Sequence, residues 1–200
     1  MRVLLIGATG TIGKRVAELL DPDHELVKVA HRNADLTVDL GSKDSIEALF
    51  REVGSFDALV CTAGVAKLGT LDELTDEDYM LAINNKLMGQ VNLVRLGREH
   101  INDQGSFTLT SGMFSYNPTP QSTALSMVNS GLEGFVRAAA LQMVRGVRIN
   151  VVSPVWVKET MEAIGMDSSG GMPAIDVARA YKEGVEGRRN GEVLHVKDFV

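Results

Sequence analysis

The 200-residue chain has one cysteine, Cys61. No intrachain disulfide can form, and neither a cysteine-rich zinc site nor a secreted disulfide framework fits. The four histidines, His24, His31, His100 and His195, are scattered without metal-ligand spacing. No apolar run approaches the roughly 18 residues of a membrane span. The richest stretch, 135–144, is cut by Arg137 and Gln142. Nor is there a basic excess: 20 Lys and Arg against 26 Asp and Glu give a net charge of −6. That balance carries no footprint for nucleic acid or for an anionic membrane. Internal repeats, low-complexity tracts and linkers are absent too. The first residues enter a strand pattern directly, without the layout of a signal peptide, so the expected location is cytoplasmic.

What remains is an ordinary globular composition, 44% apolar and 23% charged, suited to a single domain over residues 1–200. Short apolar runs at 2–6, 25–30, 36–39, 57–61, 106–110, 147–152 and 192–196 read as strands. Between most of them lie helical patterns: 11–20, a stripe from Ile46 to Val53 behind the N-cap Ser42, 76–100, 122–144 and 173–185. Alternation of this kind predicts a Rossmann-type, doubly wound α/β fold. Its sheet should be mostly parallel, of about seven strands, with helices on both faces. The one long irregular stretch, 155–172, carries Trp156 and several methionines. It is read either as an apolar flap over a substrate or as a subunit contact.

The first strand runs into Gly7-Ala8-Thr9-Gly10-Thr11-Ile12-Gly13 and then a helix, the setting in which a glycine triplet suits a dinucleotide. Gly7 would turn the chain out of the sheet, Gly10 would admit the pyrophosphate, and Gly13 would let helix and strand pack closely. Thr9, Thr11 and Ile12 complete the loop and are counted as cofactor contacts, with the first helical amides facing the phosphates. After the second strand comes Arg32, where an NAD protein would carry an acid; the first acid is Asp35. A guanidinium there suits a 2′-phosphate, so NADP(H) is favoured, with NAD(H) kept open.

These residues resemble the short-chain dehydrogenase/reductase superfamily over nearly the whole chain. Asp39-Leu40 resembles the family's adenine contact. Cys61-Thr62-Ala63-Gly64 is similar to its Asn-Asn-Ala-Gly turn, so Ala63 and Gly64 join the cofactor residues. GSFTLTSG resembles the strand bearing the catalytic serine, here Ser111, and RINVVSP and GEVLHV resemble the last two strands. The family's Tyr-x-x-x-Lys pattern is replaced: the segment ending Gly131-Leu132-Glu133-Gly134-Phe135 puts Leu125 at the tyrosine and Asn129 at the lysine. Spacing to Gly89 puts Lys86 where the family has an asparagine.

The resemblance implies an oxidoreductase with a non-standard site, acting on a small carbonyl or alcohol substrate. The alternative is a catalytically weak sensor of NADP(H). For catalysis, Ser111 is expected to bind the substrate oxygen and Tyr116 to act as a substitute acid. Lys86 is expected near the nicotinamide ribose, and Asn129 at ribose hydrogen bonds. No metal is expected. The helices at 76–100 and 122–144 match those through which the family pairs subunits, and the second is rich in small side chains. A homodimer or homotetramer is expected.

Overall fold

The strand Arg2–Ile6 (β1) lies third in a seven-stranded parallel sheet in a computed structural model that describes residues 1–200. The other strands are Glu25–Ala30 (β2), Leu36–Thr37 (β3), Phe56–Cys61 (β4), Ile101–Thr110 (β5), Arg148–Ser153 (β6) and Val193–His195 (β7). Their order is β3-β2-β1-β4-β5-β6-β7. The chain thus winds outward through β2 and β3, then returns to the other side of β1. Such a reversal opens a crevice at the carboxyl ends of β1 and β4, the usual ligand position in this architecture.

Side-chain alternation explains why both faces are covered. In β1, Leu4 and Ile6 enter one core while Val3 and Leu5 enter the other. The first core is closed by Lys43–Val53 (α2), Met88–Gly97 (α4) and Thr123–Ala140 (α5), through Phe50, Leu93, Leu132 and their neighbours. The second is closed by Thr11–Leu20 (α1) and Ala174–Glu186 (α7), through Val16, Leu20, Val177 and Tyr181. Two further helices are Asp76–Ala82 (α3) and Lys158–Ala163 (α6).

Several expectations shift at the level of local structure. The expected helix at 76–100 is not continuous. A π-helical turn over Ile83–Leu87 separates α3 from α4. No propensity marks such a turn; it is held by tertiary contacts. The fully buried Gln90 takes the Lys86 carbonyl with Nε2 at 3.2 Å and clamps both backbone groups of Thr110 at the end of β5. The helix expected to reach 144 ends at Ala140, ahead of Arg145 and Gly146 with φ of +57° and +71°. The 155–172 stretch is not wholly irregular. It contains α6, and Val157 bridges to Met172.

Candidate active site

The glycine loop is built as the spacing requires at two positions. Gly7 has φ +87°, and a Cβ there would lie 2.7 Å from Thr62 Oγ1. A Cβ on Gly13 would run into the Gly7 carbonyl oxygen. The resulting close approach of α1 to the β1 end leaves the amides of Thr11, Ile12 and Gly13 without protein acceptors. These free N–H groups, with the helix dipole behind them, form a cradle for an anion. Thr9, Gly10 and Thr11 are exposed at its rim.

Two pockets flank this cradle. One, of about 190 Å3, is bounded by Gly7, His31, Asp39, Leu40, Ala63 and Gly64, with Asn85 at its edge. Asp39 commits Oδ1 to the Gly41 amide at 2.8 Å, which fixes the turn into α2. Arg32 is exposed beside this pocket and forms no ion pair. The other pocket, of about 240 Å3, lies over the ends of β4, β5 and β6. Ile12, Lys86, Ser111, Leu125, Asn129 and Trp156 are among its lining residues. Phe114 and Trp156 meet edge to face at 5.6 Å in its wall. Turn residue Thr62 joins the sides, its Oγ1 donating to the Ile6 and Gly7 carbonyls.

Lys86 is the unusual group here. It is only 8% exposed, yet its Nζ has a single protein acceptor, the Ser111 carbonyl oxygen at 3.2 Å, and no carboxylate partner. Burial holds its pKa down at about 8. Asn129 faces the same pocket at 1% exposure. Its Nδ2 donates to the Gly112 carbonyl at 3.2 Å, and its Oδ1 has no partner.

The structure therefore brings Lys86, Ser111 and Asn129 together but leaves Tyr116 out. Tyr116 is 52% exposed and packs edge-on against His195, with ring centres 5.1 Å apart. It does not line the pocket, so its expected role as a substitute acid is corrected. The 3-10 turn Met113–Ser115 is the cause: it tucks Phe114 inward and turns Tyr116 towards β7. Ser111 is placed where expected, but its hydroxyl donates to Glu133 Oε1 at 3.1 Å and to the Val152 carbonyl at 3.3 Å. No motif in the sequence singles out Glu133 as a partner of Ser111. The available signal was its four-residue spacing from Asn129, which puts both on one face of α5.

A concavity of about 340 Å3 between Arg95, Arg98, Met143 and Arg145 opens at the amino ends of the strands, away from the glycine loop.

With this fold and this site, the chain belongs to the short-chain dehydrogenase/reductase superfamily. Within it, residues 2–193 match the family described as Enoyl-(Acyl carrier protein) reductase. Among curated relatives, hydroxynaphthalene reductase arp2 of Aspergillus fumigatus is 28% identical over 155 residues, covering 74% of this chain and 57% of the relative. Carbonyl reductase family member 4 of Xenopus laevis is 25% identical over 178 residues, covering 78% of this chain and 75% of the relative. The matches thus span between about half and three quarters of these relatives' lengths. Among solved structures, the protein lin1944 from Listeria innocua is 40% identical with a TM-score of 0.94, covering 98% of this chain and 99% of that one. A small-chain dehydrogenase in complex with NADPH is 23% identical with a TM-score of 0.83, covering 98% and 95%, a likeness of fold.

Proposed function

We propose that the chain is an NADP(H)-dependent oxidoreductase acting on a small carbonyl or the matching alcohol, with a non-standard active site. The observation that carries this reading is that one crevice holds both the free amides of α1 and the buried Lys86–Asn129 pair. The fit to a dinucleotide rests on the unpaired first-turn amides of α1, on the open rim at Gly10 and on the orphaned Asn129 Oδ1. A bound nicotinamide supplies or accepts the hydride. The chain does the rest. Thr11, Ile12 and Gly13 amides hold the pyrophosphate, with Thr9 and Gly10 at the rim. Asp39, Leu40, Ala63 and Gly64 enclose the adenosine end. Arg32 binds the 2′-phosphate, and Asn129 Oδ1 accepts from a ribose hydroxyl. Met113, Phe114, Leu125 and Trp156 keep water from an uncharged substrate.

A preference for NADP(H) is supported by the unpaired, exposed Arg32 and by the NADPH complex of a protein with the same fold. A second reading, a cofactor-binding sensor, is favoured by Leu125 in the pocket wall and by the commitment of the Ser111 hydroxyl to Glu133. Titrating NADPH and NADH by fluorescence, then following NADPH oxidation with aldehydes, ketones and quinones, tests both. Binding with turnover supports the oxidoreductase. Tight binding without turnover leaves the sensor, and no binding removes both.

A further inference from the structure

Lys86 presents a physical problem that the fold alone does not solve. An ammonium this buried loses most of its hydration, which costs several kcal/mol unless a counter-charge is close. None is. The titratable side chain facing it from β4 is Cys61, whose thiol burial pushes up to about 12, so it stays neutral. Just past the end of β5 it meets the Ser111 backbone, and from the turn after β4 its stem packs on Gly64. On α5 the nearest acid, Glu133, is spent on Ser111, Ser115 and Arg137. The pocket residues from α1 and α6 are Ile12 and Thr160, neither titratable. A methionine would fill the same space without the cost. The π turn that carries Lys86 is itself a rare feature, frequent at functional sites.

Resting on the oxidoreductase reading above, we propose that Lys86 is the general acid of this site, giving its Nζ proton to the substrate's carbonyl oxygen. Its single bond to the Ser111 carbonyl aims the group and leaves two N–H bonds for a ligand. The balance is simple. The carbonyl carbon receives a hydride from a bound dihydronicotinamide, which is thereby oxidised. The C=O π pair moves to oxygen, and that oxygen takes the proton as the N–H bond breaks. Lys86 is left as a neutral amine and regains a proton from water. A pKa of about 8 leaves the group charged at neutral pH and able to release a proton. Leu125 offers no proton, and Tyr116 lies outside the pocket.

The test uses the parent chain, Lys86→Arg and Lys86→Gln. NADPH affinity is read by fluorescence, reduction is read on the carbonyl panel from pH 6 to 10, and the lysine ε-methylene signals are titrated by NMR. Arginine keeps the charge but does not give up its proton. Both variants should bind NADPH within about threefold of the parent and lose at least about 100-fold in turnover. The parent rate should fall as pH rises through about 8, and one lysine signal titrating there should vanish in Lys86→Gln. Parent-like turnover in Lys86→Arg shows that charge alone suffices and overturns the proposal while sparing the oxidoreductase. A Lys86 signal titrating above 10 also overturns it. If NADPH binds and no carbonyl is reduced, the proposal and the oxidoreductase reading fall together; if NADPH does not bind, the cofactor reading fails and the proposal, which needs the hydride, is overturned with it.

Discussion

Ser111 Oγ donates to Glu133 Oε1 at 3.1 Å, and Ser115 Oγ donates to the same oxygen at 2.6 Å. The carboxylate is 8% exposed, with Arg137 at 3.4 Å from its other oxygen. A hydroxyl proton held this way is poorly placed to polarise a substrate carbonyl, because charge-assisted bonds are the stronger ones. The Ser111 backbone meanwhile fixes Lys86 through its carbonyl. Glu133 and Ser111 thus act as a brace between α5 and the end of β5. The polar chemistry of the pocket is left to Lys86 and Asn129.

That division has a cost visible in stability. Lys86 is held at about 8 in the folded chain against an ordinary 10.5. Below about 8 both states carry the proton, and the full penalty of about 3 kcal/mol opposes folding. Between the two values the folded state sheds its proton while the unfolded state keeps it, so stability rises with pH. Above 10.5 the penalty is gone. Lys86→Met should therefore be more stable than the parent by about 1–3 kcal/mol at pH 7, with the gap closing towards pH 10. Urea unfolding at several pH values measures it. Cys61, common to both proteins, opposes this trend at high pH, and its coulombic coupling to Lys86, the smallest of the causes acting on it, leaves only a minor residue in the difference. A constant gap across the range would refute the assignment.

The glycine loop separates folding from binding at two positions three residues apart. A Cβ on Gly13 meets backbone in the interior, whereas one on Gly10 meets only the Gly7 carbonyl, at 3.3 Å. Gly13→Ala should destabilise the fold by about 1–3 kcal/mol, as overpacking does. Gly10→Val should keep the parent's circular dichroism and melting behaviour but lose NADPH binding, since its side chain would stand at the mouth of the cradle. Normal NADPH binding by Gly10→Val would reduce the loop to a turn.

Much of this layout was legible because it follows from period and punctuation. Thr11–Leu20 and Glu25–Ala30 fall where the apolar spacing and the Asp21-Pro22 stop predict. Asp78 and Thr75 cap α3 reciprocally, a local pattern that a sequence displays openly. What stayed hidden depends on contacts between distant segments. The π turn at Ile83–Leu87 sits beside the Gln90 clamp on Thr110, a contact twenty residues on that no local pattern announces. Nearness to Ser111 in sequence predicts a position at the pocket for Tyr116, yet three residues of 3-10 helix redirect it to His195. The brace at Glu133 needs the partner positions of two serines in another element.

Assembly can be tested on one helix. The small residues on α5 differ in their surroundings. Gly131 packs against Leu87, with an added Cβ 3.3 Å away, so intrachain contact explains it. Gly134 is exposed, and a Cβ there meets nothing within 4 Å. Close approach of a second copy is the reading that gives Gly134 a purpose, in keeping with an isologous homodimer or homotetramer. Sedimentation at micromolar concentration should show an oligomer for the parent and a monomer for Gly134→Arg, with unchanged circular dichroism. A monomeric parent would remove the assembly.

Arg32 offers the sharpest test of cofactor choice. It stands after β2, exposed, next to the pocket formed by His31, Asp39 and Leu40, and no acid neutralises it. A phosphate on the adenosine ribose would pair with the guanidinium through two charge-assisted hydrogen bonds, while a bare hydroxyl would gain little. Losing such contacts costs about 1.5–3 kcal/mol, or at least about tenfold in affinity. Arg32→Ala should weaken NADPH by that factor and leave NADH nearly unchanged. Because the pair is exposed, the NADPH advantage of the parent should also shrink as salt is raised. Fluorescence titration of both cofactors at low and high ionic strength reads both effects. Equal affinity of the parent for NADPH and NADH would show that Arg32 is only a surface charge and that the 2′-position is not read.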